Sequence, residues 1–295
     1  MAKTSIILLT FEVSMNLLMT SAFAQTRAIT FSVNDFRPLA AAARDIEQIS
    51  GTPVNYEDLR CDFPGDQKDI TAGNVTPAQE RLNGPVKVIV PRGGPLVTTI
   101  TVAGSTSRLP DAGVTYEALT NIVSAYNSSS TLPGRFRLES ANGEFFLEPI
   151  AMRDASGNTG PVTPVLSTAI TLPLQQRNAA ETLDLILAQV SKASGFKIGV
   201  GSVPMNALAM GQVTIGADQQ PASQVLAQLL NALLGYGPVL PAWSSGLSYR
   251  VLYDVQLKYY MFNVVEVGPV GVRYARPQSA PSPAGPGRPG LNAKP

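Results

Sequence analysis

The sequence predicts an α+β protein built from two similar small domains of β-α-β-β-α-β-β type, followed by a disordered Pro-rich tail. Three observations lead to this prediction. Residues 29–56 and 170–200 each have the pattern strand, helix, glycine and short strand, which indicates an internal repeat. Each copy is followed by a second helical pattern and by further β patterns. From residue 276 onward Pro, Gly and Ser dominate, and such a composition cannot bury a hydrophobic core.

The start of the chain resembles a secretory signal peptide. Lys3 supplies a positive charge, an apolar run follows, and Ala22 and Ala24 form a small-x-small cleavage site, although Glu12 interrupts the apolar run. We therefore expect a mature chain that starts at Gln25 and is exported to the periplasm or the extracellular space of a bacterium. No later apolar run reaches the roughly 18 residues of a membrane span, so no transmembrane segment is expected in the mature chain. The predicted units are a signal peptide (1–24), a first domain (25–153), a linker (154–168), a second domain (169–268) and the tail (269–295).

The first copy has clear signals for its helix and its turns. Leu39, Ala43 and Ile46 recur at helical spacing, and Gly51 ends this pattern. Asn142-Gly143 predicts a tight β-turn, and the Pro-Gly-rich residues 91–95 predict a solvated hairpin tip. The remaining predicted elements of this copy are a short strand at 53–56, β runs at 86–90 and 96–102, a helix at 115–126, and a hairpin of 135–138 with 144–150.

The second copy repeats this order. Its first helix ends at Gly195, strands are predicted at 196–200 and 212–215, and a helix over 221–234 has Pro221 in its first turn. Residues 247–267 alternate as half-buried β-strands do. We predict that one face of this run carries Leu247, Tyr249, Val251, Tyr253, Val255, Leu257, Tyr259 and Met261.

Composition excludes several classes of function. The net charge is +1, so there is no electrostatic reason to expect nucleic acid or an anionic membrane as partner. The chain has no histidine and one cysteine, Cys61, which excludes His-based triads, His-based zinc sites, CxxC redox pairs and intramolecular disulfides. Asp62, Asp66 and Asp69 lack the spacing of an EF-hand loop. We expect no catalytic residues, no metal and no cofactor. Cys61 is either a free thiol or half of an intermolecular disulfide.

The repeated segments resemble a known family. FSVNDFRPLAAAARDIEQISGTPVNY (31–56) and LPLQQRNAAETLDLILAQVSKASGFKIGV (172–200) are similar to the short N-terminal domain shared by secretins and TonB-dependent receptors. In that family a strand leads into a helix with the pattern Leu-x-x-Ala-Leu, then a glycine and a short strand; residues 39–43 and Gly51 fit this helix, and 221–234 resembles the second helix. The membrane barrel or pore domain of the family is absent. The resemblance therefore implies extracytoplasmic contacts with protein partners, without channel activity.

These observations predict a non-enzymatic interaction module of the bacterial cell envelope, an accessory part of a secretion or signalling assembly. Its partner is expected to be one or more envelope proteins, with self-association left open. The β alternation places Tyr260 and Phe262 off the main apolar face, and these residues with Trp243 are the candidate protein-binding residues. The alternative is that Tyr260 and Phe262 are covered by the second helix or by the other domain.

Two other functions are considered. A small ligand or a glycan would bind in the groove between the domains, with Trp243 as a stacking platform. An enzyme would use carboxylates or a Ser191-Lys192 pair, but adjacent residues on a helix point in different directions, and Glu47 and Asp45 are expected on the solvated face of the first helix. We therefore predict no enzymatic activity.

Overall fold

The computed structural model describes residues 26–74, 87–103, 112–234 and 246–268. These ranges contain both helices and strands, which confirms the α+β class. The predicted signal peptide at 1–24, Trp243 and the predicted tail at 269–295 lie outside the described residues.

The first repeat, residues 26–153, has the predicted order of elements with one short insertion. Its elements are β1 (Thr26–Asp35), α1 (Pro38–Ser50), β2 (Val54–Glu57), β3 (Gln67–Asp69), α2 (Thr71–Asn74), β4 (Ile89–Pro91), β5 (Gly94–Ala103), α3 (Ala112–Ser128), β6 (Arg135–Ala141) and β7 (Glu144–Arg153). The insertion is β3, α2 and β4, and a 3₁₀ helix, Pro64–Asp66, precedes it.

The second repeat, residues 169–267, has the same order with one short extra helix. Its elements are β9 (Ala169–Asn178), α4 (Ala179–Ser194), β10 (Ile198–Val200), α5 (Met205–Met210), β11 (Gln212–Pro221), α6 (Ala222–Leu234), β12 (Gly246–Asp254) and β13 (Tyr259–Val267). Between the repeats lie β8 (Thr159–Pro161) and a second 3₁₀ helix (Val165–Ser167).

The helix boundaries follow the local sequence signals. Pro38 lies in the first turn of α1, where the missing N–H costs no hydrogen bond, and Gly51 ends the helix with φ of 74°. The Asn178 side chain accepts a hydrogen bond from the backbone N–H of Ala180 (2.8 Å) and so caps the start of α4. Gly195 ends α4 with φ of 76°. Gly51 and Gly195, which the sequence predicts as the ends of these helices, therefore do end them.

The two repeats share one strand topology. In the first repeat β1 pairs antiparallel with β5, β2 pairs parallel with β7, and β6 pairs antiparallel with β7. In the second, β9 pairs antiparallel with β11, β10 pairs parallel with β13, and β12 pairs antiparallel with β13. Two helices contact both strand groups in each repeat, so each helical pair buries apolar residues against two sheets.

The repeats join in one sheet. β12 of the second repeat pairs in parallel with β2 of the first, which gives a seven-stranded sheet with the order β10-β13-β12-β2-β7-β6 and β8 paired to β7. The predicted linker at 154–168 contributes β8 and a 3₁₀ helix in which Val165 and Leu166 are buried. The repeats are therefore joined through one continuous sheet, to which each contributes three strands, with no free spacer between them.

Two predicted strand arrangements were wrong. The β runs before and after residues 91–95 do not pair with each other, because β4 pairs with β3 and β5 pairs along its whole length with β1. Gly93 lies in a tight passage, where an added Cβ would be 1.9 Å from the Asp35 carbonyl oxygen, so these residues do not form a solvated hairpin tip. The alternation over 247–267 also breaks, because the four-residue turn after β12 reverses which positions face inward.

Candidate functional site

The junction between the repeats is held by a buried ion pair. Arg250 on β12 lies opposite Tyr56 on β2, and its Nη2 donates to Glu47 Oε2 on α1 over 2.7 Å. Nη1 of the same guanidinium donates to the Val54 carbonyl, while Glu47 Oε1 accepts from the Val54 N–H over 2.8 Å. The side chains of Arg250 and Glu47 are 7% and 3% exposed. Both charges are therefore matched, and each depends on the other to stay buried.

A second buried carboxylate, that of Glu57, ties β2 to the start of the second repeat. Its two oxygens accept from the backbone N–H groups of Val165 (2.6 Å) and Leu166 (3.0 Å) at the 3₁₀ helix. Burial nevertheless raises the pKa of Glu57 to about 8, since it outweighs those two hydrogen bonds, and the nearby Glu148 and Asp58 carboxylates act in the same direction. Glu57 is thus a group whose charge changes near neutral pH.

Asp58, at the end of β2, satisfies groups from both repeats. Its Oδ2 accepts from Arg37 Nε (2.6 Å) and from the Tyr253 N–H (3.2 Å), and its Oδ1 accepts from the Tyr56 hydroxyl (2.8 Å). Arg37 also donates to the Tyr253 carbonyl. The Asp58 charge is therefore neutralised within the junction.

A cavity of about 220 Å³ lies beside these carboxylates, in the groove between the repeats. The Arg60 guanidinium lies 4.5 Å from the centre of the Phe196 ring, and it makes a long hydrogen bond to Met152 Sδ. Tyr260 also lines the cavity, and its hydroxyl has no hydrogen-bond partner among the described residues. The remaining lining combines Glu57, Asp58 and Thr163 with apolar side chains, which are those of Leu59, Pro149, Met152, Pro161, Val162 and Val165.

One face of the second repeat's sheet is only partly covered by the described residues. In the first repeat Glu144 and Phe146, on β7, are 3% and 4% exposed, because the second repeat covers them: Asn231 of α6 donates to Glu144 over 2.6 Å, and Phe146 belongs to the second repeat's core. By strand pairing, the counterparts of these residues on β13 are Tyr259 and Met261. With Asn263 they form what we call the open face, and all three are partly exposed.

The sheet also ends in two strands that lack a second neighbour in the described ranges, β6 and β10. On β6, the outward N–H and C=O of Phe136 are both taken by the Asn127 side chain (2.9 and 2.8 Å). On β10, the Ile198 N–H donates to Ser191 Oγ (3.0 Å), and Val200 is 43% exposed. An unpaired strand edge can accept a further strand through its backbone groups.

The structure corrects the candidate contact residues. Tyr260 and Phe262 are 2% and 0% exposed, because the turn after β12 points them toward the second repeat's core, as the alternative reading had it. They cannot serve as partner contacts in the folded chain. Trp243, proposed both as a contact and as a stacking platform, lies outside the described residues.

Glu47 was expected on a solvated helix face, and this was wrong. It is 2% exposed, because α1 turns it toward the second repeat, where Arg250 neutralises it. Sequence reasoning also missed Glu57 and Asn55, since short strands of mixed polarity give no sign that another strand will cover their polar side chains. The one available signal was a run of three acidic or amide positions within and after a strand that must be buried.

Asp62, Asp66 and Asp69, the carboxylates that were compared with an EF-hand loop, do not act together, and Cys61 is buried near them. Asp66 pairs with Arg153, Asp69 accepts from Thr71, and Asp62 lies 3.4 Å from the Tyr253 hydroxyl, so the three carboxylates serve different partners. Cys61 is a buried free thiol, and burial raises its pKa well above the ordinary value, which makes it a poor nucleophile.

Comparison with protein-family models, curated proteins and solved structures gave no match for this chain. Among the described helices, none combines the length and the apolar character needed to cross a membrane.

Proposed function

We propose that the chain is an exported, non-enzymatic protein-interaction module of the bacterial cell envelope and an accessory part of a secretion or signalling assembly. The resemblance to the short N-terminal domain of secretins and TonB-dependent receptors supports the location and the class of partner. The observation that carries the proposal is the open face. A surface that is buried in one repeat, and that the described residues cover only in part at the same place in the other, is suited to covering by a further polypeptide.

The chemistry of the open face agrees with this role. Tyr259 and Met261 replace Glu144 and Phe146 of the first repeat, so a charged position has become aromatic. Aromatic residues and methionine are enriched in protein interfaces, and charged residues are depleted at interface cores.

A photoreactive residue in place of Met261 should capture an envelope protein from cells that export the chain. We expect specific capture there and none from the same residue at Met210, which is 61% exposed but lies on α5, away from the open face. Met261→Glu should abolish the interaction without loss of folding, because it places a charge in a surface that must be desolvated. Equal capture from both positions, or none from Met261, would contradict the proposal.

The cavity beside Arg60 supports a second candidate function, the binding of a small organic acid. Its Arg60 guanidinium has no carboxylate partner among the described residues, and Tyr260, whose hydroxyl is a further possible donor, lines the same cavity. These two groups share a space of about 220 Å³ with apolar side chains, and the Glu57 and Asp58 carboxylates in its lining already accept hydrogen bonds from other groups. A cavity of about 150 Å³ holds benzene. An anionic group on a small ring matches both features.

Benzoate should therefore bind to the purified protein more tightly than benzyl alcohol or benzylamine. Arg60→Gln should weaken benzoate binding about tenfold or more, since a hydrogen bond to a charged group contributes about 1.5 to 3 kcal/mol. Arg92→Gln is the matched control, because Arg92 is exposed and is not one of the residues that line the cavity. Titrations followed by NMR would measure both. The same affinity for benzoate and benzyl alcohol would exclude this function.

A further inference from the structure

The junction between the two repeats, at β12 and β2, has a geometry that can recur between two copies of the chain. The repeats lie in the same strand order, but β12 is parallel to β2 and therefore antiparallel to β6, its own counterpart. The cores of the two repeats lie on opposite faces of the sheet, because Tyr249 and Val251 belong to one core cluster while Leu252 packs on the other. One repeat is thus carried onto the other by a half-turn about an axis across the strands, with a shift along that axis. Because this rotation is combined with a translation, applying it again does not return to the first repeat, and further copies can be added in the same way.

The two edge strands of the sheet are the counterparts of the two strands that pair at the internal junction. The counterpart of β12 is β6, which is an edge, and the counterpart of β2 is β10, which is the opposite edge. In the internal junction Arg250 lies opposite Tyr56. Matching the repeats through their hairpins makes Arg137 the counterpart of Arg250, and Val200 the counterpart of Tyr56. A second copy that repeated the junction would place its Val200 opposite Arg137.

The polar groups at these edges are arranged to permit that pairing. Within the chain, the Tyr249 N–H of β12 is satisfied by the side chain of Asn55 from β2 (2.9 Å). At the other end, β10 has Gly199 at the position of Asn55 and offers no such side chain. The counterpart of Tyr249 is Phe136, whose N–H is already satisfied by Asn127 of its own repeat. A junction between two copies would therefore lack the hydrogen bond that Asn55 provides within the chain, but the Phe136 N–H keeps its own partner, Asn127. Leu138, the counterpart of Val251, is not bonded to Asn127.

The helices show the same relation. The buried positions of α6 match those of α3 one for one, except that α6 buries Ser223 and Ala227 (both 5% exposed), where it covers the first repeat. The matching positions of α3 are Tyr116, which is 45% exposed, and Thr120, which is also exposed. Tyr116 would then lie over Met261 of the next copy, as Ser223 lies near Phe146 within the chain.

We propose that the polypeptide covering the open face is a second copy of this chain, added head to tail so that β6 of one copy pairs in parallel with β10 of the next and α3 covers the open face. This inference rests on the proposed function, because it identifies the partner of that same surface. Each copy has one β6 end and one β10 end, so the contact is heterologous and extends beyond a dimer.

Cysteine cross-linking between two differently tagged chains tests the register. One chain carries Arg137→Cys, the other Val200→Cys, and both carry Cys61→Ala. Opposed residues of paired strands lie about 4.8 Å apart, within the Cα separation of about 4.4 to 6.8 Å that a disulfide bridges. We expect a mixed-disulfide dimer from this pair at least fivefold above that from Glu139→Cys with Val200→Cys, where the separation is about 8 Å.

A second measurement uses the unsubstituted mature chain. Its weight-average mass in sedimentation equilibrium should rise with protein concentration, and Val200→Asp or Tyr116→Ser should keep it at the monomer value, with folding checked by circular dichroism. Equal cross-linking of both cysteine pairs, or a monomer mass at every concentration, overturns the head-to-tail inference. Capture of a different, identified envelope protein from Met261 would still support the proposed function, so the two failures are distinguishable.

Discussion

Arg250→Met should lower the free energy of unfolding by about 3 to 5 kcal/mol, because it leaves Glu47 charged and buried without its partner. Glu47 is 2% exposed and would keep only the hydrogen bond from the Val54 N–H. The substitution also removes the donor to the Val54 carbonyl. Urea unfolding followed by circular dichroism measures the change.

The double variant Arg250→Met with Glu47→Gln should recover part of this loss, since no uncompensated charge then remains. Glu139→Gln is the matched control. Glu139 also pairs with an arginine, Arg137, but the two side chains are 53% and 45% exposed. Exposed ion pairs contribute at most about 1 kcal/mol. If Arg250→Met changed stability no more than this control does, the ion pair would not hold the junction.

Stability should fall as the pH rises from about 5 to about 8, and Glu57 should be a principal cause. The pKa of Glu57 is about 8 in the folded chain and near 4.5 in the unfolded chain. Below 4.5 the group is protonated in both states and has no effect. Between the two values the folded state binds the extra proton, so unfolding becomes easier by up to about 1.4 kcal/mol per pH unit. Above pH 8 the loss is complete and the curve levels off.

Glu57→Gln should flatten this part of the curve, even though the amide cannot accept both N–H groups of Val165 and Leu166 and will lower stability at acidic pH. The comparison is therefore between slopes, taken from unfolding free energies at pH 5, 6, 7 and 8. Burial also raises the pKa of Glu144, which will contribute a slope that remains in the variant. A variant with the same slope as the natural chain would show that Glu57 is ionised throughout this range.

The internal junction also explains which surfaces remain available to a partner. Three carboxylates near β2 already have partners within the chain. Glu47 pairs with Arg250, Glu57 accepts from backbone N–H groups, and Asp58 pairs with Arg37. They act in assembling the repeats, so they are structural. Tyr116 at one end is exposed and Met261 at the other is partly exposed, and neither takes part in these polar contacts of the junction.

The sequence by itself determined the α+β class and the repeated order of elements. It also determined most helix boundaries and the turn at Asn142-Gly143, where both residues have positive φ. These features depend on local physics: apolar spacing sets the buried face of a helix, and glycine, proline and asparagine fix where the chain turns. Both signals lie within a few residues of the structure they specify, so one chain is enough to read them.

Only the tertiary structure decided how the repeats are joined and which residues face outward. The burial of Glu47 depends on Arg250, about two hundred residues later in the chain, and no local pattern reveals that pairing. Tyr260 and Phe262 became core residues because a four-residue turn after β12 shifted the inward positions by one, and a shift of one residue exchanges the two faces of a strand. The partial exposure of the open face on β13 also depends on the tertiary structure. It depends on which strand edges pair with each other, and that pairing is decided by contacts between residues far apart in the sequence.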